Sequence, residues 1–363
     1  MAATVFRASM KIIDSYILRT VLMGTLVAML VLLPVVGFVD LVDELDYVGR
    51  GSYTLTDTFV FIGLSLPRNA YRLLPMAALI GSLWGLGNLA VHSELTAMRA
   101  AGISTLRIVT AVLKAGLVVA LVAALVGEVI APASEDKGNQ LRAELLSEGI
   151  VTKSRFGFWA RDGRSFINIR IILHGGRLRQ IYIYEFDDAK RLKLATFAQS
   201  AIYTGNTWRL EGIWQSELSE EGVQTHSSRQ AVWDSLLDPG MLSLLVVEPN
   251  ILPVWALHRY IRFMEENGLS ATTYQVAFCG KMAVPLVILA MISLSVPLLF
   301  GNLRSVGVGQ RVFVGVLIGI VFYVLNRAFS QLAVVYQLSP VLAAFLPGLL
   351  CFFGALWLFR RTR

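Results

Sequence analysis

Six apolar runs, split three and three by more than a hundred residues without one, constrain this chain more than any other feature. The first three cover about Tyr16 to Val42, Phe59 to Val91 and Ile108 to Ala131. The last three cover about Val276 to Phe300, Val312 to Phe329 and Ser339 to Phe359. A helix needs roughly 17–25 mainly apolar residues to cross the hydrocarbon of a bilayer, so each run predicts a transmembrane helix. Apolar residues make up 55% of the 363 and charged ones only 16%, which excludes a purely soluble or disordered chain. The first run is far longer than the apolar core of a cleavable signal and has no convincing small-x-small exit, so it reads as a retained helix.

Lys and Arg set the expected orientation. Arg7, Lys11 and Arg19 precede or open the first span, Arg99 and Arg107 lie between spans two and three, and Arg304 and Arg311 lie between spans four and five. The chain ends Arg360-Arg-Thr-Arg363. With six spans these all fall on one side, while the opposite loop, between spans one and two, carries Asp40, Asp43, Glu44, Asp46 and Asp57 against Arg50. Both termini are therefore expected in the cytoplasm and the polar insert outside. The net charge of +7 is largely this signal and calls for no nucleic acid.

From about Asn139 to Val247 the apolar period changes to two. Phe166-Ile-Asn-Ile-Arg170, Gln180-Ile-Tyr-Ile-Tyr-Glu-Phe186 and Thr207-Trp-Arg-Leu210 alternate, and Asp162-Gly163, Gly175-Gly176, Gly205-Asn206 and Glu221-Gly222 punctuate them. Short strands with such turns predict an antiparallel β-domain, a sandwich or a partly open barrel, over 139–250. Prolines 67, 75, 285 and 297 inside spans read as packing kinks or as hinges. Residues Val254 to Asn267 predict an amphipathic helix at the outer interface, with Val254, Leu257, Ile261 and Met264 on its apolar face and His258, Arg259, Arg262, Glu265 and Glu266 opposite.

The usual enzymatic chemistries are missing. No Gly-x-x-x-x-Gly-Lys-Ser/Thr occurs, since Gln275 stands where a first glycine would precede Gly280-Lys281. The four histidines (His92, His174, His226, His258) lack metal-ligand spacing. Cys279 and Cys351 both lie in spans and read as packed thiols. No Gly-x-Ser-x-Gly is present.

Three polar features stand out, each with two readings. Ser93 is placed to cap a short helix ending near Gly102, and Glu94 is the one acid of that basic loop. It reads as a helix that docks into a motor subunit, or as an acid stabilised by the helix dipole. Lys281 lies about 8 Å inside the outer edge of span four, as a snorkelling cation or an intramembrane functional one. Glu135, Asp136, Lys137 and Arg142 cluster where span three ends, as a solvated stalk or a contact for anionic headgroups.

In order along the chain occur Leu41-Val-Asp-Glu-Leu45, Gly49-Arg-Gly-Ser-Tyr53, Leu74-Pro-Met-Ala-Ala-Leu79, Ser93-Glu-Leu95 with Ala101-Gly102, Gly127-Glu-Val-Ile-Ala-Pro132, and Phe300-Gly-Asn-Leu-Arg-Ser-Val306 with Gly309 and Arg311. Together they resemble the LptF/LptG family of lipopolysaccharide-export permeases over essentially the whole chain. The resemblance implies six transmembrane helices with an inserted periplasmic β-jellyroll-like domain, in a Gram-negative inner membrane. It implies an ABC exporter in which an LptF-type paralogue pairs with this chain and a dimer of the ATPase LptB docks beneath, so that ATP and Mg belong to the partner and no cofactor to this chain. Lipopolysaccharide would leave the inner membrane and pass through LptC- and LptA-type periplasmic β-proteins toward the outer membrane.

Residue by residue, the resemblance gives Glu94 the coupling role, with Leu95, Met98 and Arg99 on the same short helix. Arg142 matches a basic residue facing lipid phosphates, and Tyr323 a cavity-lining position on span five. The family's first-span lysines do not carry over: the matching positions read Asp40, Asp46 and Tyr47, or Gly37 for the first if the match slides to Gly37-Phe-Val-Asp40. Arg50 and Lys281 are then candidate substitutes, and a divalent cation bridged through Asp40, Asp43 or Asp46 is a further expectation. A permease for another lipid or for lipoproteins, a scaffold recruiting periplasmic partners, and a lipid A-modifying enzyme are the competing readings.

Overall fold

The computed structural model describes residues 2–146, 150–162, 165–173, 177–187, 191–204, 207–219, 222–233, 249–266, 270–300 and 306–361. The expected turn residues Gly163, Gly175, Gly176, Gly205, Asn206 and Glu221 lie outside them, as do His174 and the Arg304 loop. Six helices are long and apolar enough to cross a membrane, matching the six runs. They are α1 (Ala2–Leu45), α2 (Leu55–Val91), α4 (Thr105–Leu125) continued by α5 (Ala131–Leu146), α7 (Thr272–Phe300), α8 (Val308–Val335) and α9 (Pro340–Arg361). The short α3 (Glu94–Ala100) joins α2 to α4, and α6 (Val254–Glu266) precedes α7. Helix α2 runs unbroken through Pro67 and Pro75, and α7 through Pro285 and Pro297.

The chain divides into two compact units. One comprises Met1–Asp43, Ile62–Glu135 and Gln275–Arg363, the other Glu44–Phe61 and Asp136–Tyr274.

In the helical unit, α2 and α7 are the most enclosed spans and α8 the least, at 72%, 61% and 17% of their apolar windows. Lipid tails are as apolar as leucine, so helices here associate by close packing rather than by hydrophobic exclusion, and small residues decide where backbones meet. Gly24 of α1 lies against the backbone of Gly81 in α2, and a Cβ on Gly85 would stand 2.8 Å from Thr20 O. On α8, Gly315 and Gly319 receive Leu83 and Met76 of α2 in the same way. Buried Arg311 donates to Gly87 O at 2.6 Å. The α4–α5 helix is interrupted by one π-helical turn at Val126–Ile130.

In the other unit, six strands form one antiparallel sheet in sequence order, β1 (Ile150–Asp162), β2 (Ser165–Leu173), β3 (Arg177–Phe186), β4 (Leu192–Thr204), β5 (Thr207–Ser219) and β6 (Gly222–Trp233). The expected strands fall in β2, β3 and β5. Strand ends close across the predicted turns, as in Asp162↔Ser165, Leu173↔Arg177, Thr204↔Thr207 and Ser219↔Gly222. One face carries the core, including Ile167, Ile169, Ile181, Ile183, Trp208 and Ile213. The other carries an aromatic row in which Tyr182, Phe197 and Trp214 stand on adjacent strands, 4.8 and 5.6 Å apart.

Strict alternation fails along one line across the sheet. Gln180 and Gly212 have positive φ (56° and 62°), and Gln199 lies between them in register. Leu178 and Ile181, Ala198 and Ala201, and Leu210 and Ile213 are all buried, a spacing of three that a flat strand cannot give. The kink row switches the inward parity of each strand and keeps the core on one face.

Helix α6 is rotated from its expected setting. Its buried residues are Ala256, Leu257 and Tyr260, with Phe263 packed on the sheet core, whereas Val254 and Ile261 are only half-buried. The aromatic side chains fill space against the sheet and Tyr274, so packing rather than average hydrophobicity sets the helix face.

Candidate functional site

The proposed coupling residues sit together on α3. Its C-terminus closes in a Schellman turn: Ile103 N–H donates to Met98 O and Gly102 N–H to Arg99 O, with Gly102 at φ 88°. The start departs from expectation. Ser93 is left-handed (φ 63°) and its side chain makes no capping bond; only its carbonyl serves, accepting from Ala97 N–H. Leu95 is buried and Met98 packs against the same core, so two of the four residues anchor α3 to the bundle. Arg99 lies over the Phe300 ring at 5.8 Å. Glu94 keeps its carboxylate at the surface, where Tyr16 Oη donates to Oε2 at 2.7 Å. Nearby in sequence, Arg107 and Lys114 both close on Asp14, at 2.9 and 2.5 Å. Helix α3 is thus held to the bundle by Leu95 and Met98 and carries Glu94 bonded to Tyr16.

A second constellation lies in the β-unit. The Arg142 guanidinium stands 4.0 Å from the Tyr47 ring centroid and 5.2 Å from that of Phe61. Its Nε lies 3.3 Å from Glu44 Oε1. Arg50 approaches the same Tyr47 ring at 5.4 Å. One aromatic ring thus gathers two cations, each attracted to its π-face. Buried Tyr53 donates to Glu44 Oε1 at 3.0 Å, and burial, followed by that bond, pushes its hydroxyl pKa up to about 12. The loop 46–54 is held to α5 by Ser52 N–H donating to Leu145 O, and Gly51 (φ 59°) fits against that backbone where no Cβ would. The pairing of Arg142 with Glu44, and the role of Tyr47 as a shared platform, link residues nearly a hundred positions apart and had no signal in either local pattern.

Two of the remaining candidate residues, Lys281 and Asp40, meet partners within the helical unit. Lys281 does not snorkel: its side chain is buried, and Nζ donates to Gly127 O and Glu128 Oε1, both at 3.0 Å. Its charge is compensated by Glu128 inside the helical unit. Asp40 is likewise engaged, accepting from Asn69 Nδ2 at 2.6 Å and facing Arg68 at 3.6 Å. Arg68 in turn reaches Glu135 at 2.5 Å, tying α1, α2 and α5 together. Among the described residues no three of His, Cys, Asp or Glu gather as metal ligands. Tyr323 is exposed on α8, with Arg327 3.5 Å from its hydroxyl.

Six helices long and apolar enough to cross a membrane, with a six-stranded antiparallel sheet inserted after the third, define a polytopic membrane protein. The comparisons give the family. The model for "Lipopolysaccharide export system permease LptF/LptG" matches residues 15–361. The lipopolysaccharide export system permease protein LptG of Escherichia coli is 32% identical over 353 residues, covering 96% of this chain and 98% of that protein. LptG of Haemophilus influenzae is also 32% identical over 353 residues, covering 97% and 99%. The chain belongs to the LptF/LptG family of lipopolysaccharide export permeases.

Proposed function

We propose that this chain is one permease subunit of an ABC exporter that lifts lipopolysaccharide out of the inner membrane toward the periplasmic bridge. The observation that carries the reading is the pair of guanidinium groups on Tyr47, in a chain of this family. Two cations held on an aromatic platform suit a phosphorylated headgroup, which a planar guanidinium binds through paired N–H donors. The basic ends of the chain and of its loops favour both termini in the cytoplasm and the sheet in the periplasm. Lipid extraction is uphill and no nucleotide motif is present, so the energy comes from a separate LptB-type ATPase dimer that binds ATP and Mg. Glu94 on α3 is the contact to that motor, and closure of the motor drives the permease. An LptF-type paralogue is the second half, and LptC- and LptA-type proteins receive the substrate.

The test is purification of the tagged full chain from its native membrane in mild detergent, with mass spectrometry of what accompanies it. Recovery of a P-loop ATPase, a second six-span permease and lipopolysaccharide is the expected result. Recovery of partners without any ATPase removes the energy source and favours a scaffold.

A further inference from the structure

Helix α8 is the least enclosed span, at 17% of its apolar window, yet one line of contacts runs along its inner side. Arg311 meets Gly87 of α2, Gly315 meets Leu83 and Ile80, and Gly319 meets Met76. Positions rise by four on α8 as they fall on α2, so the two helices run antiparallel along one seam of about 12 Å at the helical rise. Val312 and Val316 pack beside it on Ala77 and Ile80. Arg311 is the charged member of this seam. It is 1% exposed, and its Nη1 donates to Gly87 O at 2.6 Å. Gly87 makes room for it, because a Cβ there would stand 3.0 Å from Nη1 and 3.2 Å from Cδ.

Packing alone does not call for that residue. Arg311 stands in the first turn of α8, where a long side chain can reach past the helix start to water. It turns inward instead, and burying a cation costs more than burying an apolar side chain of similar volume. The best-attested use of a buried polar group is to fix register, since sliding leaves it without its acceptor. The acceptor side of the bond continues into α3. His92 N–H donates to Asn88 O and Ser93 N–H to Ala90 O, so the joint after Val91 is hydrogen-bonded to the last turn of α2. Leu95 of α3 shares one core with Leu86 and Leu89 of α2, and Met98 packs against it. Gly87 therefore lies about one turn before a joint that binds α2 to α3.

We infer that Arg311 is a positioning residue that fixes the register of α8 on α2, so that α2, α3 and α8 move as one body when the motor acts on α3. The inference rests on the proposed export function and adds to it the path by which a displacement of α3 reaches α8. The bond to Gly87 O holds the start of α8 to the end of α2, and the Gly315 and Gly319 contacts carry that hold along the span.

The experiment is disulfide trapping in the full chain in its native membrane, with Cys279→Ala and Cys351→Ala as background. Gly315→Cys is paired either with Ile80→Cys, its neighbour across the seam, or with Met76→Cys, one turn along α2. A Cβ on Gly315 stands 3.6 Å from Ile80 Cα, and its closest contact is the end of the Leu83 side chain, which can move aside. With Arg311 present the bond should form with Ile80→Cys. In Arg311→Met, which keeps length and apolar packing, the preference for Ile80→Cys over Met76→Cys should fall about tenfold, the scale of one charged hydrogen bond, and Arg311→Lys should restore part of it. An unchanged preference in Arg311→Met overturns the inference. The second readout is lipopolysaccharide released per ATP hydrolysed by the purified complex. Arg311→Met should lower this ratio. Oxidising the Ile80→Cys and Gly315→Cys pair should leave the ratio as it is in the reduced protein, and should restore it in Arg311→Met, because helices that move together lose nothing by being tied. A tied pair that hydrolyses ATP but no longer releases lipopolysaccharide shows α8 sliding on α2 and overturns the inference while the export reading stands. A complex with Arg311 and no added cysteine that releases no lipopolysaccharide overturns the export reading, and with it the motion of the three helices under the motor, whereas the trapping preference still decides the register.

Discussion

Lys281 Nζ lies 3.0 Å from Glu128 Oε1, across an interface between α7 and the single π-helical turn of the α4–α5 helix. The widened turn leaves Gly127 O available to the same ammonium group, also at 3.0 Å, and Gly127 is tight against Tyr71, where a Cβ would meet the ring. A bulge, a glycine, an acid and a lysine therefore act as one packing unit.

Removing one partner of this pair leaves an uncompensated charge in a low-dielectric interior. Lys281→Ala or Glu128→Ala should each cost about 3–5 kcal/mol. The double change Lys281→Met with Glu128→Gln should recover most of that loss. Thermal unfolding of the detergent-solubilised protein measures it, and a double variant no better than the singles would contradict the paired account.

The glycine seam between α1 and α2 is expected to tolerate no side chain. A Cβ at Gly81 would fall against the backbone of Gly24 and Thr25, which cannot yield as a flexible side chain can. Gly81→Val should therefore abolish accumulation of folded protein, while Gly280→Ala, where a Cβ meets nothing, should be silent. Size-exclusion profiles of the two variants give the comparison.

Glu94→Ala should weaken retention of the ATPase by about 2–5 kcal/mol, the usual scale for truncating one partner of a buried cross-interface charge pair. Tyr16→Phe removes only the hydroxyl that orients Glu94, so its effect should be near 1 kcal/mol. ATPase co-purification at graded salt separates them. If Tyr16→Phe matches Glu94→Ala, the acid works through Tyr16 rather than through a partner.

Arg142→Ala has two consequences because Arg142 both faces the Tyr47 platform and neutralises buried Glu44. The variant should lose lipopolysaccharide crosslinking and also some stability. Adding Glu44→Gln should restore stability without restoring crosslinking. Recovery of both by the double variant would make Arg142 purely structural.

Tyr53 supplies a pH dependence. An unfolded tyrosine ionises near pH 10, whereas burial and the bond to Glu44 hold Tyr53 protonated to about 12. Between these values the folded state binds more protons than the unfolded one, so stability falls as pH rises through that window. The contribution is complete below about pH 10. Tyr53→Phe should flatten this part of the stability profile, and an unchanged profile would remove Tyr53 as the titrating group.

Much of the fold was legible because its signals are local. Each span is a run of apolar residues, and a helix in a membrane satisfies its own backbone, so composition over some twenty residues is enough. The strands were legible in the same way, from alternation between turn residues. Helix α6 shows the limit, since its existence followed from periodicity but its buried face was set by Tyr260 and Phe263 against neighbours far away in sequence. At the candidate site, Glu94 and Arg142 were singled out by residue type and family pattern. For Lys281 and Asp40 the internal partners were not legible, because an ionisable residue in a span shows its charge in the sequence but not its partner.

The sequence by itself determined six apolar spans and an inserted antiparallel sheet, because those depend on short stretches of chain. Only the tertiary structure decided which charges are spent and which remain. Glu128 meets Lys281 across 153 positions, Glu44 meets Arg142 across nearly a hundred, and Arg68 joins Asp40 to Glu135. In a low-dielectric interior a charge is stable only with a partner at contact distance, and that distance is a property of packed helices rather than of sequence separation.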